Sequence, residues 1–81
     1  MTQKDKDVLE LVKAALPERI AFEHNRLATE IVGLSPLEVE AITAVSHSVI
    51  SLLEQQQGLV DIALAGGKTA LGYLKGAYAY P

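Results

Sequence analysis

The feature that most constrains this chain is the stretch 35–58, which carries both a start signal and a stop signal for one long helix. Ser35 can cap the helix, Pro36 suits its first position, and Glu38 lies three residues after the cap, as in a capping box. Gly58 predicts the end of the helix as a left-handed C-cap. Between these signals, apolar residues recur at helical period and predict one buried face: Val39, Ile42, Val45, Val49, Leu52 and Leu53.

Three further helices are predicted around this one. Residues 4–16 and 17–32 are separated at Pro17, because the residue before a proline is disfavoured in α geometry. Residues 59–79 are compatible with helix, but two consecutive glycines interrupt them, which indicates a break, a hinge or a close backbone approach. The sequence therefore predicts an all-α fold, a small helical bundle of three to four helices, at about 4–16, 17–32, 36–57 and 59–79.

Length and composition predict one small domain with a changed C-terminal end. The chain has 81 residues, about the size at which a single core is marginal and a partner or oligomer often helps. We expect a helical domain over 1–65 and a glycine- and tyrosine-rich segment over 66–81, which is either the closing helix or a separate tail. The whole chain contains no cysteine, which excludes disulfides and thiolate chemistry.

The distribution of charge argues against nucleic acid as a partner. The net charge is −3, and no Lys or Arg lies between Arg26 and Lys68. Nucleic-acid binding requires a basic face that displaces counterions from phosphates, and this chain has none. The charged N-terminus shows no signal-peptide core, and charges at Asp61, Lys68 and Lys75 interrupt the best candidate for a membrane span. We therefore expect a cytoplasmic protein.

No pattern in the chain indicates catalysis. Gly67-Lys68-Thr69 matches the end of a phosphate-binding loop, but Ile62 occupies the position that the opening glycine of that motif would need. His47 stands between two serines, yet neighbours on a helix point about 100° apart and do not form a nucleophile–base pair. The sequence predicts no catalytic residue and no enzyme.

No metal or cofactor site is predicted either. His24, His47 and Glu40 could meet inside a bundle, but carboxylate-bridged dimetal bundles use Glu-x-x-His. Alanines stand three residues before both histidines, at Ala21 and Ala44.

The C-terminal segment carries the residues that we expect to make contacts. Gly72 and Gly76 lie one helical turn apart, a spacing that lets two helices approach closely. Tyr73, Tyr78 and Tyr80 are all the tyrosines of the chain, and tyrosine is enriched at binding hot spots. The segment is interpreted as a closing helix or as a surface for a protein partner or a second copy. Membrane contact by this short segment is a weaker alternative.

Leu64-Ala65-Gly66-Gly67 resembles the end of a double-glycine leader, the type found in bacteriocin and other ribosomal peptide precursors. The resemblance implies cleavage after Gly67 by a peptidase coupled to export, which would release residues 68–81. Asp61 and Gln56 stand where that pattern usually has apolar residues. The leading prediction is thus a non-enzymatic protein-interaction or regulatory protein, with self-association as one form of that interaction. The alternative is a bacteriocin-like precursor with a helical leader and a core after Gly67.

Overall fold

The computed structural model describes residues 1–78, which form three α-helices and no strand. Helix α1 spans Gln3–Glu30, α2 spans Pro36–Leu64 and α3 spans Lys68–Tyr78. The first two pack side by side as a long antiparallel hairpin, and α3 packs against α2. The molecule measures 50 × 20 × 19 Å. The all-α prediction is confirmed, with three helices in the described part of the chain.

Helix α1 runs through Pro17 without a break, so the predicted boundary between 4–16 and 17–32 is wrong. The helix begins at a capping box that the sequence analysis missed. The Thr2 side chain accepts a hydrogen bond from the Asp5 N–H, and the Asp5 carboxylate accepts one from the Thr2 N–H. Thr-x-x-Asp is the signal that identifies this start. Helix α1 then continues for 28 residues.

Tertiary packing explains why α1 tolerates its proline. Leu9, Leu16 and Glu23 are buried seven residues apart, on the face of α1 that meets α2. Because this seven-residue repeat continues on both sides of Pro17, breaking the helix there would expose one half of the interface. A proline inside a helix costs about 3 kcal/mol relative to alanine. Burial of the α1 face along its whole length therefore outweighs this cost.

The capping box predicted at the start of α2 is confirmed. The Ser35 hydroxyl accepts from the Glu38 N–H at 3.3 Å, and the Glu38 carboxylate accepts from the Ser35 N–H at 3.4 Å. Gly33 turns the chain into this cap with a φ of 81°, in the left-handed region that glycine adopts at little cost. A connection this short makes α1 and α2 antiparallel neighbours.

The predicted end of this helix is wrong. Helix α2 passes through Gly58, where an added Cβ would meet nothing within 4 Å, and ends at Leu64. Gly66 has a φ of 104°, and its N–H donates to the Ala63 carbonyl at 3.0 Å. The Gly67 N–H donates to the Ile62 carbonyl at 2.9 Å. This pair of bonds is a Schellman cap. The double glycine therefore marks a helix break, and the single helix predicted over 59–79 is wrong.

Helix α3 folds back and closes one end of the hairpin. Ala70 and Leu74 are buried in a cluster that takes side chains from all three helices. Leu9, Leu74 and Val60 are its largest fully buried side chains. The other fully or nearly fully buried members of the cluster are Leu16, Ala63 and Ala70. The core thus sits at one end of the molecule, and α3, 11 residues long, leaves the rest of the 29-residue α2 uncovered.

We expect Gly67→Ala to lower the free energy of unfolding by about 1–2 kcal/mol. An added Cβ would lie 2.6 Å from Ile62 Cγ2 and 2.9 Å from the Ile62 carbonyl oxygen. That oxygen already accepts the Gly67 N–H, so it cannot move away without weakening the cap. Urea denaturation followed by circular dichroism measures the change.

Gly72→Ala is the matched control for this substitution. Gly72 lies inside α3, and an added Cβ there meets nothing within 4 Å. Because alanine is the better helix former, this variant should gain about 0.5–1 kcal/mol. A loss in Gly72→Ala as large as that in Gly67→Ala would contradict the steric explanation.

Candidate protein-binding surface

Two polar contacts hold α3 on the hairpin. The first is an ion pair in which Lys75 Nζ lies 3.3 Å from Asp5 Oδ1. Burial of Asp5 by itself raises the pKa of its carboxyl. Hydrogen bonds from Thr2, together with the Lys75 ammonium, outweigh this effect and leave the pKa below its ordinary value. Asp5 therefore serves both as part of the α1 cap and as an anchor for α3.

The second contact is a hydrogen bond from the Tyr78 hydroxyl to the Gln56 side-chain oxygen on α2. Tyr78 is half-buried against the core cluster, and this burial raises the pKa of its hydroxyl. Its ring therefore packs within the chain, although Tyr78 was predicted to face a partner.

The other predicted contact residues lie at the surface where the structure describes them. Tyr73 is 58% exposed, and Gly72 and Gly76 are exposed with open space where a Cβ would stand. Neither glycine therefore marks a close helix crossing within this chain. Tyr80 lies outside the described residues.

Exposed apolar side chains run along the outer side of α2, and the sequence analysis missed them. Leu37 is 75% exposed and Val45 is 66% exposed, although Val45 was predicted to be buried. Leu52, also predicted to be buried, and Ile62 are exposed in the same way. We call Leu37, Val45, Leu52 and Ile62 the outer stripe of α2. The signal for it was present in the sequence, because apolar residues occupy more than one side of this helix.

The outer stripe ends in a groove between α2 and α3. The groove has a volume of about 420 Å³ and is lined by Gln55, Leu59, Ile62, Thr69, Ala70 and Tyr73. Its walls are mostly apolar, with the Tyr73 ring at one side. Stripe and groove follow one another along α2, and apolar residues and one tyrosine face outward there.

Comparison with protein-family models, with curated proteins and with solved structures gave no match to this chain. The contacts and the exposed surfaces of residues 1–78 are therefore the basis for a proposal of function.

Within residues 1–78, α2 is the one helix with the length and apolar composition to cross a membrane. One 18-residue window of this helix has a mean hydropathy of 1.2, and 11% of that window is buried. The expectation that no stretch would qualify is therefore wrong for α2. Core helices of soluble proteins pass the same test, so length and composition alone are weak support for a membrane span.

The side chains around α2 favour a protein partner over lipid. Glu40, His47, Glu54 and Asp61 recur every seven residues and are all exposed, so one side of the helix is a row of ionisable groups. The exposed surface of α2 is therefore apolar along the outer stripe and ionisable on another side. This division suits contact with another protein, which can cover the stripe and leave the ionisable groups in water.

The buried carboxylate of Glu23 is held by an ion pair within α1. Glu23 on α1 is buried, and Arg19 Nη2 lies 3.1 Å from its carboxylate. The Arg19 guanidinium also lies 5.1 Å from the centre of the Phe22 ring. Arg19 thus neutralises a carboxylate that would otherwise be buried without a partner.

The histidines do not form a site with other ionisable side chains of the described chain. Ser46 is buried, whereas His47 and Ser48 are exposed, so the serine and the imidazole point apart. No group of three or more His, Asp or Glu that could hold a metal lies within residues 1–78. His24 is exposed on α1.

Proposed function

We propose that this chain is a non-enzymatic interaction protein that binds another protein or a second copy of itself. The observation that carries the proposal is the outer stripe of α2 with the groove beside Tyr73. Exposed apolar residues that are grouped along one face, rather than scattered singly over the surface, usually mark a binding site. The described side chains include no nucleophile beside a base, which supports a binding role.

The fold is well suited to this role. Helix α2 is apolar on the face that meets α1 and again along its outer stripe, and a helix that is apolar on most sides is normally covered on most sides. We infer that the hairpin becomes a complete up-and-down helical bundle when a partner covers the stripe. The C-terminal segment takes part through Gly72, Tyr73 and Gly76, which border the uncovered side.

Photo-crosslinking in the cells that produce the protein tests this proposal. A photoreactive phenylalanine analogue is placed at Leu52 on the outer stripe, at Tyr73 beside the groove, and at His47 on the ionisable side of α2. We expect protein adducts from Leu52 and Tyr73 and few from His47, because only the first two face the proposed surface. Equal labelling from all three positions, or adducts with lipid alone, would contradict the proposal.

The intact mass of the natural protein, recovered from the same cells and from their medium, tests the precursor hypothesis. Gly66 is exposed between α2 and α3, so the double glycine is accessible at a junction. The cap formed by Gly66 and Gly67 supplies a structural reason for the pair, and we therefore place the precursor hypothesis second. A species that ends at Gly67, or a released 68–81 peptide, would favour a precursor with a helical leader.

A further inference from the structure

We propose that the partner of the outer stripe is a second copy of this chain, packed antiparallel, so that two hairpins form one bundle. This inference rests on the proposed function and specifies the partner. Three properties of the surface lead to it: its area, its shape and its charge.

The chain exposes more surface than expected for a compact monomer of its mass, by an amount comparable to one side of a dimer interface. A folded monomer of 8.7 kDa is expected to expose about 4,700 Å². This chain exposes 5463 Å². The excess is about 700 Å², close to the roughly 800 Å² that each partner buries in a standard interface. One copy could therefore cover the surplus of the other.

The two halves of the surface differ in shape. Leu37 and Val45 are exposed near the start of α2. The groove beside Ile62 and Tyr73 lies in the other half. In a two-fold dimer each patch meets its counterpart reciprocally. An antiparallel pairing places the exposed Leu37 and Val45 of each copy toward the groove of the other.

Charge selects the antiparallel direction over the parallel one. Glu38 is exposed at the beginning of α2, outside the ionisable row, and Lys68 is exposed at the beginning of α3. A parallel pairing would bring the glutamates of two copies together, whereas the antiparallel one brings them toward lysine. If Val45 faces Ile62 of the second copy, Glu38 faces the neighbourhood of Lys68. Leu52 then lies near the two-fold axis.

Disulfide trapping tests both the dimer and its direction, because the natural chain contains no cysteine. Val45→Cys and Ile62→Cys are purified separately, then oxidised alone and as an equimolar mixture. We expect the mixed disulfide to form fast in the mixture and each self-disulfide to form slowly, because bridging requires Cα atoms within about 7 Å. His47→Cys mixed with Glu54→Cys, both on the ionisable side, is the collisional control. Fast self-crosslinking of Val45→Cys would overturn the antiparallel arrangement.

Light scattering on the purified natural chain gives an independent readout. We expect twice the 8.7 kDa mass at micromolar concentration. Leu52→Glu should raise the dissociation constant at least about thirtyfold while helicity is retained, since it places a charge at the centre of the interface. If Leu52→Glu loses helicity, Lys68→Glu serves instead. It should weaken the dimer by repulsion from Glu38, and Glu38→Gln, which preserves the capping box, should relieve that weakening.

The possible results separate this inference from the proposed function. A monomer at 100 µM without trapping above the collisional control would overturn the homodimer. Adducts with a different protein from Leu52 and Tyr73 would then still support a binding role. If neither a dimer nor face-specific adducts were found, both proposals would fail.

Discussion

Leu74→Ala is expected to lower the free energy of unfolding by about 3 kcal/mol, within the range measured for buried leucines. The Leu74 side chain is 0% exposed and lies in the cluster with Leu9 and Val60. Truncation removes apolar contacts from a small core and leaves a cavity among side chains of all three helices. Urea denaturation at low micromolar concentration, followed by circular dichroism, measures the loss.

Leu11→Ala is the matched control. Leu11 lies on α1 and is 73% exposed, so the same change of side chain removes little buried surface. Its effect should stay within about 0.5 kcal/mol. Equal losses in the two variants would show that α3 is not docked in solution. Faster hydrogen exchange confined to residues 68–78 in Leu74→Ala would instead show that α3 detaches before the hairpin unfolds.

Pro17→Ala is expected to raise the free energy of unfolding by about 2 kcal/mol. Pro17 lies inside α1 and has no N–H to donate to the Lys13 carbonyl. A proline in a helix interior costs about 3 kcal/mol relative to alanine, and part of this is offset because proline also restricts the unfolded chain. Pro17 is exposed, so alanine loses little packing.

Glu18→Ala, at the next exposed position of α1, is the control and should change the free energy of unfolding by less than about 0.5 kcal/mol.

Pro17 lines a cavity of about 270 Å³ together with Lys13 and Asp61, whose side chains form an ion pair at 3.6 Å. If Pro17→Ala were destabilising, the proline would be required to shape α1 against α2 at this cavity.

The candidate surface was only partly predictable from sequence. Tyr73, predicted to contact a partner, is 58% exposed, so its side chain is accessible for such a contact. Tyr78 belongs to the same pattern, yet its ring packs on the core. Val45 and Leu52 were predicted to be buried because they recur at helical period with other apolar residues. Periodicity identifies apolar sides of a helix, but it does not identify which of them packs against a neighbouring helix.

Local signals in the sequence by themselves determined the all-α class and the points where α2 begins and α3 separates from it. The Ser35 capping box and the Gly66-Gly67 cap depend on hydrogen bonds between residues a few positions apart, so no distant contact is needed to form them. Tertiary structure alone decided that α1 continues through Pro17 and that α2 continues through Gly58. At both positions a local cost is outweighed by burial along the full length of the hairpin, and burial depends on residues far apart in sequence.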